Sequence, residues 1–225
     1  MGKTFKFLIT LLVISMPLTF VFAADTSDAK LNYSKAKNLE YVLMDKKNAV
    51  FKNNVVKWYY NPTYEHLTDF SQIEIVRTIK KAMRSWSRVC SIKFRYKGIT
   101  MKRLDNLNDG IIVIGFWPER KYERKQGDSA GVAQIVYTSG KGIIDGYIAL
   151  NIFNRSDEYA PQNLDDLQGI VTHEVGHLIG IGHSNKKESV MYVPEPSYEY
   201  EKTLRRDDKR AARRLYPIFG LGILR

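Results

Sequence analysis

Cysteine is almost absent from this chain of 225 residues, and Cys90 is the only one. A single thiol cannot form an internal disulfide, so packing and hydrogen bonds must hold the fold even in an oxidising compartment. The neighbours of Cys90 predict that it is buried as a small apolar residue and takes no part in catalysis. No cysteine follows the apolar N-terminus, which argues against a lipid-anchored lipoprotein.

Long hydrophobic runs are also missing, except near the N-terminus. Phe7–Phe22 is uncharged and apolar, follows Lys3 and Lys6, and leaves small residues at the positions that precede cleavage after Ala23. This pattern is typical of a secretory signal peptide, and the run is shorter than the roughly 20 residues that a bilayer span needs. We expect residues 1–23 to be cleaved and the mature protein to be secreted or otherwise extracytoplasmic. An uncleaved membrane anchor is the alternative.

Neither a glycine-rich linker nor a repeat interrupts the polar stretch that follows, and we interpret residues 24–53 as an N-terminal extension or short propeptide. Residues 54–225 are enough for one domain with its own core, and we expect a monomer.

Acidic residues are fewer than basic ones, 24 against 35, and the formal net charge is +11. This balance favours contact with anionic surfaces, and the alternative is that the basic side chains are simply solvated. Basic and aromatic residues are not interleaved as in an RNA-binding strand, so no specific nucleic-acid partner is expected.

Histidine is scarce too, yet three of the four histidines fall within one short stretch that reads His173-Glu174-x-x-His177-x-x-Gly180-x-x-His183. Helical residues four apart lie on the same face, so His173 and His177 can point at one metal ion with Glu174 beside it. Gly180 can end the helix, and His183 then returns from a new direction. Three neutral imidazoles and an open fourth position are typical of catalytic zinc. The alternative is a core helix with incidental histidines.

Hydrophobic patterning places this motif in a chain that mixes strands and helices. The apolar positions of Ser71–Val89, Ile73 among them, recur at helical spacing and predict a helix that lies on a sheet. Asn163 or Asp165 can cap the helix that carries the histidines. The predicted strands are Val55–Tyr60, a strand from about Ile92, Gly110–Phe116 as a central strand covered on both faces, and a strand within Gly140–Asn151.

The motif HExxHxxGxxH resembles the signature of the metzincin zinc proteases, and Ser184 after the third histidine resembles the matrixin branch. Ser189–Tyr192 looks like the methionine turn that lies beneath the metal in this family. Trp86–Phe94 is similar to the matrixin junction between a helix and a strand, and Leu204–Tyr216 resembles the C-terminal helix. The resemblance implies an α+β fold with a twisted mixed sheet, two long helices and a small C-terminal subdomain after Gly180.

The resemblance also implies roles for residues outside the zinc motif. Met191 would form the floor under the imidazoles without ligating the metal, and Asp207 or Asp208 would support the methionine turn. The end of the stretch Gly127–Tyr137 resembles the edge strand along which substrate binds.

On this edge strand Gly131 and Ala133 are the candidate substrate-binding residues. Substrate would add to the strand by β-augmentation, and the alternative is a plain strand. Pro194 would wall the pocket for the residue after the cleaved bond, which predicts a hydrophobic side chain there.

Two family features are not supported by the sequence. No histidine lies between His66 and His173, so we expect no second, structural zinc. The cysteine motif that keeps matrixin zymogens latent is absent as well. Asp128 and Asp145 are candidates for a calcium site, although surface turns are the favoured interpretation of both.

The resulting prediction is a zinc endopeptidase that acts on protein or peptide substrates. Zinc held by the three histidines would acidify water and polarise the scissile carbonyl, and Glu174 would take the proton and deliver it to the leaving amine. Three alternatives stay open: a catalytically silent zinc module, a basic adhesion protein, and a zinc amidase acting on a non-protein substrate.

Overall fold

The computed structural model describes residues 19–23, 41–43, 49–107, 109–117, 130–138, 142–152, 160–192 and 200–218. Its helices are α1 (Gln72–Ser87), α2 (Leu164–Leu178) and α3 (Arg206–Leu215). Its strands are β1 (Thr19–Ala23), β2 (Tyr41–Leu43), β3 (Val55–Asn61), β4 (Lys93–Ile99), β5 (Ile112–Trp117), β6 (Gly131–Thr138), β7 (Gly142–Asn151) and β8 (Ile181–Ser184).

Six strands form one mixed sheet in the order β1-β6-β7-β5-β3-β4, and β2 pairs with β8 in a separate two-stranded sheet. The pairs β3–β4, β3–β5 and β5–β7 are parallel, whereas β6 runs antiparallel to both of its neighbours, β7 and β1. The strands and helices that the sequence predicts are therefore present, and the mixed α+β class is confirmed.

Strand β5 lies in the middle of the sheet and is covered on both faces, as its unbroken apolar pattern predicts. Ile114 belongs to the main core, which also contains the buried faces of α1 and α2. Val113 points to the other face and packs in a smaller cluster with Tyr147.

Helix α1 begins with a capping box in which Ser71 and Glu74 each bond the other's backbone N–H. Its apolar stripe is buried as predicted, except for Ile73, which is 69% exposed. At 3.6 residues per turn, Ile73 lies roughly 120° from the centre of the stripe, so its prediction as a core residue is wrong.

Helix α2 begins at the Asn163 cap, whose side-chain oxygen accepts from the Asp165 and Asp166 backbones. Beyond its first turn the helix is buried all round. It packs against α1, where the Trp86 indole donates to the Thr172 carbonyl at 2.9 Å. Cys90 is buried near this contact, as expected.

The chain turns sharply after α2 at Gly180, whose φ is +95°. A side chain there would be strained by this angle, and its Cβ would lie 2.8 Å from the Ala49 carbonyl oxygen. The small C-terminal subdomain that follows contains β8, the turn Ser189–Tyr192 and α3. The predicted break at Gly180 is therefore confirmed.

Asp145 is not in a surface turn, which corrects the favoured interpretation of this residue. It lies on β7 with 2% of its surface exposed. Its carboxylate accepts hydrogen bonds from the backbones of Asp109, Gly110 and Gly146, while burial raises its pKa. These oxygens therefore serve to hold the chain before β5. Asp128, the other calcium candidate, is outside the described residues.

The N-terminal predictions are tested only in part. Of the expected signal peptide, Thr19–Ala23 is described, and it forms β1. None of the helices in the described ranges is long and apolar enough to cross a membrane. Cleavage near Ala23 stays a prediction.

Candidate metal centre

The three histidines of the motif meet at the end of α2. His173 and His177 lie one turn apart on the helix, and His183 comes from β8 after the turn at Gly180. One ring nitrogen from each of the three lies within 4.8 Å of the other two. The Nε2 atom of His177 is 3.0 Å from that of His173 and 3.1 Å from that of His183.

Backbone carbonyls orient two of these rings. The Nδ1 atom of His173 is 2.7 Å from the Val190 oxygen, and that of His177 is 2.8 Å from the Ile181 oxygen. Because a carbonyl oxygen only accepts hydrogen bonds, each Nδ1 must carry the proton. In the neutral ring the lone pair is then on Nε2, which faces the other histidines.

Burial keeps the rings neutral. Desolvation lowers the pKa of His173 to about 4 and that of His183 to about 3, and it moves the pKa of His177 well below its usual value. Neutral rings with their Nε2 lone pairs directed at one point repel one another, and a cation at that point removes the repulsion. Three imidazole nitrogens are also a donor set that zinc prefers, so the residues fit the metal.

Glu174 follows the first histidine on α2 and is 3% exposed. Burial raises its pKa to about 8, while a hydrogen bond from the Ala133 backbone acts in the opposite direction. Its Oε2 atom makes no hydrogen bond with the described residues. The carboxyl group is therefore anchored to β6 by the bond from Ala133, and its Oε2 atom is left to interact with water or a ligand.

Gly131 and Ala133, the candidate substrate-binding residues, both contact Glu174. A Cβ atom on Gly131 would lie 3.0 Å from Glu174 Cγ and 3.2 Å from its Oε1. Ala133 supplies the backbone hydrogen bond to the carboxyl group. These contacts make both residues supports of the acid, a role that sequence reasoning missed. Their part in substrate binding stays a prediction, and Pro194 lies outside the described residues.

Residues at the start of α3 hold the methionine turn, Ser189–Tyr192, in place. Asp208 is 1% exposed and accepts from the Ser189 hydroxyl and from the Val190 and Met191 backbones. Asp207 accepts from the Ser184 hydroxyl. Since the Val190 carbonyl orients the ring of His173, Asp208 acts on the histidine cluster through this turn, whereas Asp207 acts through Ser184, the residue after His183.

Met191 is buried and packs against α2 at Gly176, and its role as a floor beneath the histidines stays a prediction. A Cβ atom on Gly176 would overlap Met191 Sδ and would lie 3.0 Å from Trp86 Cζ2. Another neighbour could not be anticipated from the sequence: the ring of Tyr200 stands edge-on to that of His173, with centroids 5.6 Å apart.

Gly176→Ala is expected to destabilise the protein by about 1–3 kcal/mol, because the added methyl group overpacks the filled space between the buried side chains of Met191 and Trp86. Thermal unfolding of this variant and of Gly98→Ala tests the prediction. No atom lies within 4 Å of a Cβ added at Gly98, so Gly98→Ala measures only the strain of placing a side chain at a positive φ. Equal unfolding temperatures for wild type and Gly176→Ala would contradict the close packing.

Comparison with known proteins agrees with this geometry. The matrixin family model matches residues 50–217. The chain is similar to metalloendoproteinase 1-MMP of Arabidopsis thaliana, with 28% identity over 139 residues, which is 56% of this chain and 34% of that protein. It is also similar to matrilysin of Mus musculus, with 28% identity over 156 residues, which is 67% of this chain and 54% of that protein.

The chain therefore spans about a third to a half of the length of these curated relatives. The family match, by contrast, covers most of the chain, and it includes the histidine cluster, Glu174 and the methionine turn. The chain belongs to the matrixin family.

Proposed function

We propose that this protein is a secreted zinc-dependent endopeptidase. The observation that carries the proposal is the convergence of three neutral imidazoles, two buried and one half-buried, beside a buried carboxyl group that has one unbonded oxygen. Membership of the matrixin family and the likeness to metalloendoproteinases support the same activity.

His173, His177 and His183 would hold the metal, each through Nε2. A zinc ion bound there supplies Lewis-acid chemistry, which polarises a carbonyl group and acidifies water. The carbonyl oxygens of Val190 and Ile181 keep two of the rings turned towards the ion.

Glu174 is the general base and acid of the proposed reaction. The charge of a bound metal ion would lower the pKa of this carboxyl group and so favour its ionised form. The Oε2 atom would then take a proton from the attacking water and deliver it to the leaving amine nitrogen. The bond from Ala133 and the contact with Gly131 fix the carboxyl group in one orientation, so little ordering is needed when substrate arrives. Met191 shapes the floor and takes no part in proton transfer.

The edge of β6 that faces away from β7 is the proposed binding edge for substrate. In the structure this edge carries β1, which is paired antiparallel from Thr19↔Thr138 to Ala23↔Gln134. This pairing supports the proposal because β1 is an extended segment that is held at this edge by main-chain pairing. After cleavage near Ala23, a substrate segment would take the place of β1.

A hydrophobic residue is expected immediately after the cleaved bond, next to the wall that Pro194 would provide. Mapping cut sites in a mixed peptide library by mass spectrometry tests this specificity. Cleavage mainly before charged residues would contradict it.

Chelation is expected to abolish peptide cleavage and to lower the unfolding temperature, because a metal bound only by the folded state stabilises that state. Addition of zinc should restore both properties. The measurement combines zinc content, cleavage of the library and thermal unfolding before and after chelation.

His177→Ala provides the matched test of the ligand set, with the exposed His66→Ala as its control. We expect the first variant to lose zinc and activity and the second to keep both. Undiminished cleavage by the metal-free protein would reject the proposed function.

A further inference from the structure

A groove of about 1210 Å³ lies away from the histidine cluster. Its walls are the outer face of α1, the first turns of α2, and residues 202–204 with the start of α3. Neither the three histidines nor Glu174 lines it. The groove therefore cannot be explained by the chemistry of the metal centre.

One wall of this groove is a row of cations. It consists of Arg77, Lys80, Lys81, Arg84 and Arg88, all of which are exposed. At a rise of 1.5 Å per residue the row extends for roughly 16 Å along α1.

The opposite wall adds Lys202 and Lys209 to this positive charge, while Asp165 is the single acid of the lining. Asp165 already pairs with Lys202 at 3.0 Å, so it neutralises little of the remaining charge. A groove that concentrates one sign of charge attracts ligands of the opposite sign.

The floor is not charged. Val76 and Leu204 are buried beneath the groove, and the exposed Ile73 stands at its rim. Gln168 lies among them and is 7% exposed. Its amide is not one of the fully buried side-chain groups that lack a hydrogen bond, so it is open to the groove and can bond a ligand there.

We propose that the groove binds an acidic, extended segment of a partner protein. Carboxylates of that segment would pair with the cations of α1. The Gln168 amide has both a donor and an acceptor, which suits a peptide group of the main chain. An aliphatic side chain of the segment would cover Ile73 and the apolar floor, a contact that a sulfated glycan cannot provide.

A nucleic acid fits less well, because single strands are bound by stacking bases on aromatic rings. Tyr96 is the aromatic residue of the lining, and its ring is already contacted by Trp58, with centroids 4.6 Å apart, and by Lys80 Nζ at 4.4 Å. If the proposed protease function holds, the segment belongs to a protein substrate and lies outside the cleaved sequence. The binding itself does not rest on catalysis.

The experiment measures binding of a fluorescent glutamate-rich peptide that contains two leucines, by anisotropy, to the full chain carrying Glu174→Gln so that the probe is not cut. A peptide with glutamine in place of every glutamate is the neutral probe. Arg84→Glu with Arg88→Glu reverses the charge at the C-terminal end of the row. Lys57→Glu with Arg95→Glu makes the same change of charge at exposed register partners on β3 and β4, outside the groove.

We expect Kd for the acidic peptide to rise on the order of tenfold or more in the groove variant and less than about twofold in the β3–β4 variant. Gln168→Met should weaken binding about three- to tenfold, since it removes the amide and keeps the size of the side chain. The neutral peptide should bind weakly to all variants. Unchanged unfolding temperatures would show that these proteins remain folded.

Equal weakening by the two charge reversals would overturn the groove assignment in favour of general charge. Tighter, groove-dependent binding of a sulfated glycan or a single-stranded oligonucleotide would overturn the choice of a protein segment. If the wild type binds the peptide but cleaves nothing, the protease proposal fails and the groove stands. If the wild type cleaves a peptide library but no variant changes peptide binding, the groove proposal fails and the protease proposal stands.

Discussion

Glu174→Gln is expected to lower kcat/KM for peptide cleavage on the order of 10²- to 10⁴-fold while about one zinc ion per chain is retained. Glutamine keeps the shape of the side chain and its bond from Ala133 but cannot take up the proton of water. Because Glu174 is not one of the three converging imidazoles, the metal should stay bound. Peptide-cleavage assays stopped at fixed times give kcat/KM, and zinc analysis of the same preparation gives the metal content.

The matched control for this variant is Glu188→Gln, which makes the same change at an exposed position on the segment between His183 and the methionine turn. It should leave kcat/KM and zinc content unchanged. Substantial cleavage by Glu174→Gln would assign proton transfer to another group. Loss of zinc would instead show that the carboxyl group helps to hold the metal.

Asp208→Ala is expected to reduce the free energy of unfolding by about 3–5 kcal/mol, with a fall in the unfolding temperature on the order of 10 °C. The carboxylate accepts from Ser189, Val190, Met191 and the backbone of Arg205. Without it, these buried or half-buried donors lose their acceptor, and the methionine turn is no longer tied to α3.

The same variant should bind zinc about 10- to 100-fold more weakly, because the turn carries the Val190 carbonyl that orients His173. Competition with a chelator measures this loss. Asp165→Ala, which removes another first-turn aspartate but at an exposed position, should change neither stability nor zinc affinity noticeably. Normal zinc affinity in Asp208→Ala would mean that the ring of His173 is held without the turn.

The histidine cluster was predictable because its determinants are local. A spacing of four residues on a helix brings His173 and His177 together, and glycine at position 180 provides the turn that returns His183. The Asn163 cap and the central strand β5 follow from equally short patterns. Each of these features depends on residues close in sequence, which is where propensity and periodicity carry information.

The features that the sequence did not predict depend on distant contacts. Asp145 sits between apolar residues and a glycine and suggested a turn, but its partners come from residues 109 and 110 across the sheet. The neighbours of Gly131 and the place of Tyr200 beside His173 likewise arise only when separate elements pack. The groove is assembled from α1, α2 and the start of α3, so it was not predicted from the sequence.

The hydroxyl of Tyr216 donates to the Ile179 carbonyl and accepts from the backbone of Phe51, so it joins the end of α2 to the first part of the domain. Synthesis proceeds from the N-terminus at about 5–20 residues per second, and Asp208 and Tyr216 are among the last described residues to be made. A nascent chain that ends before them contains His173, Glu174, His177 and His183 but lacks the carboxylate and hydroxyl that hold their surroundings in place. The surroundings of the histidine cluster are therefore complete only after residue 216 has been added, and a nascent chain that stops before it would be poorly suited to the proposed hydrolysis.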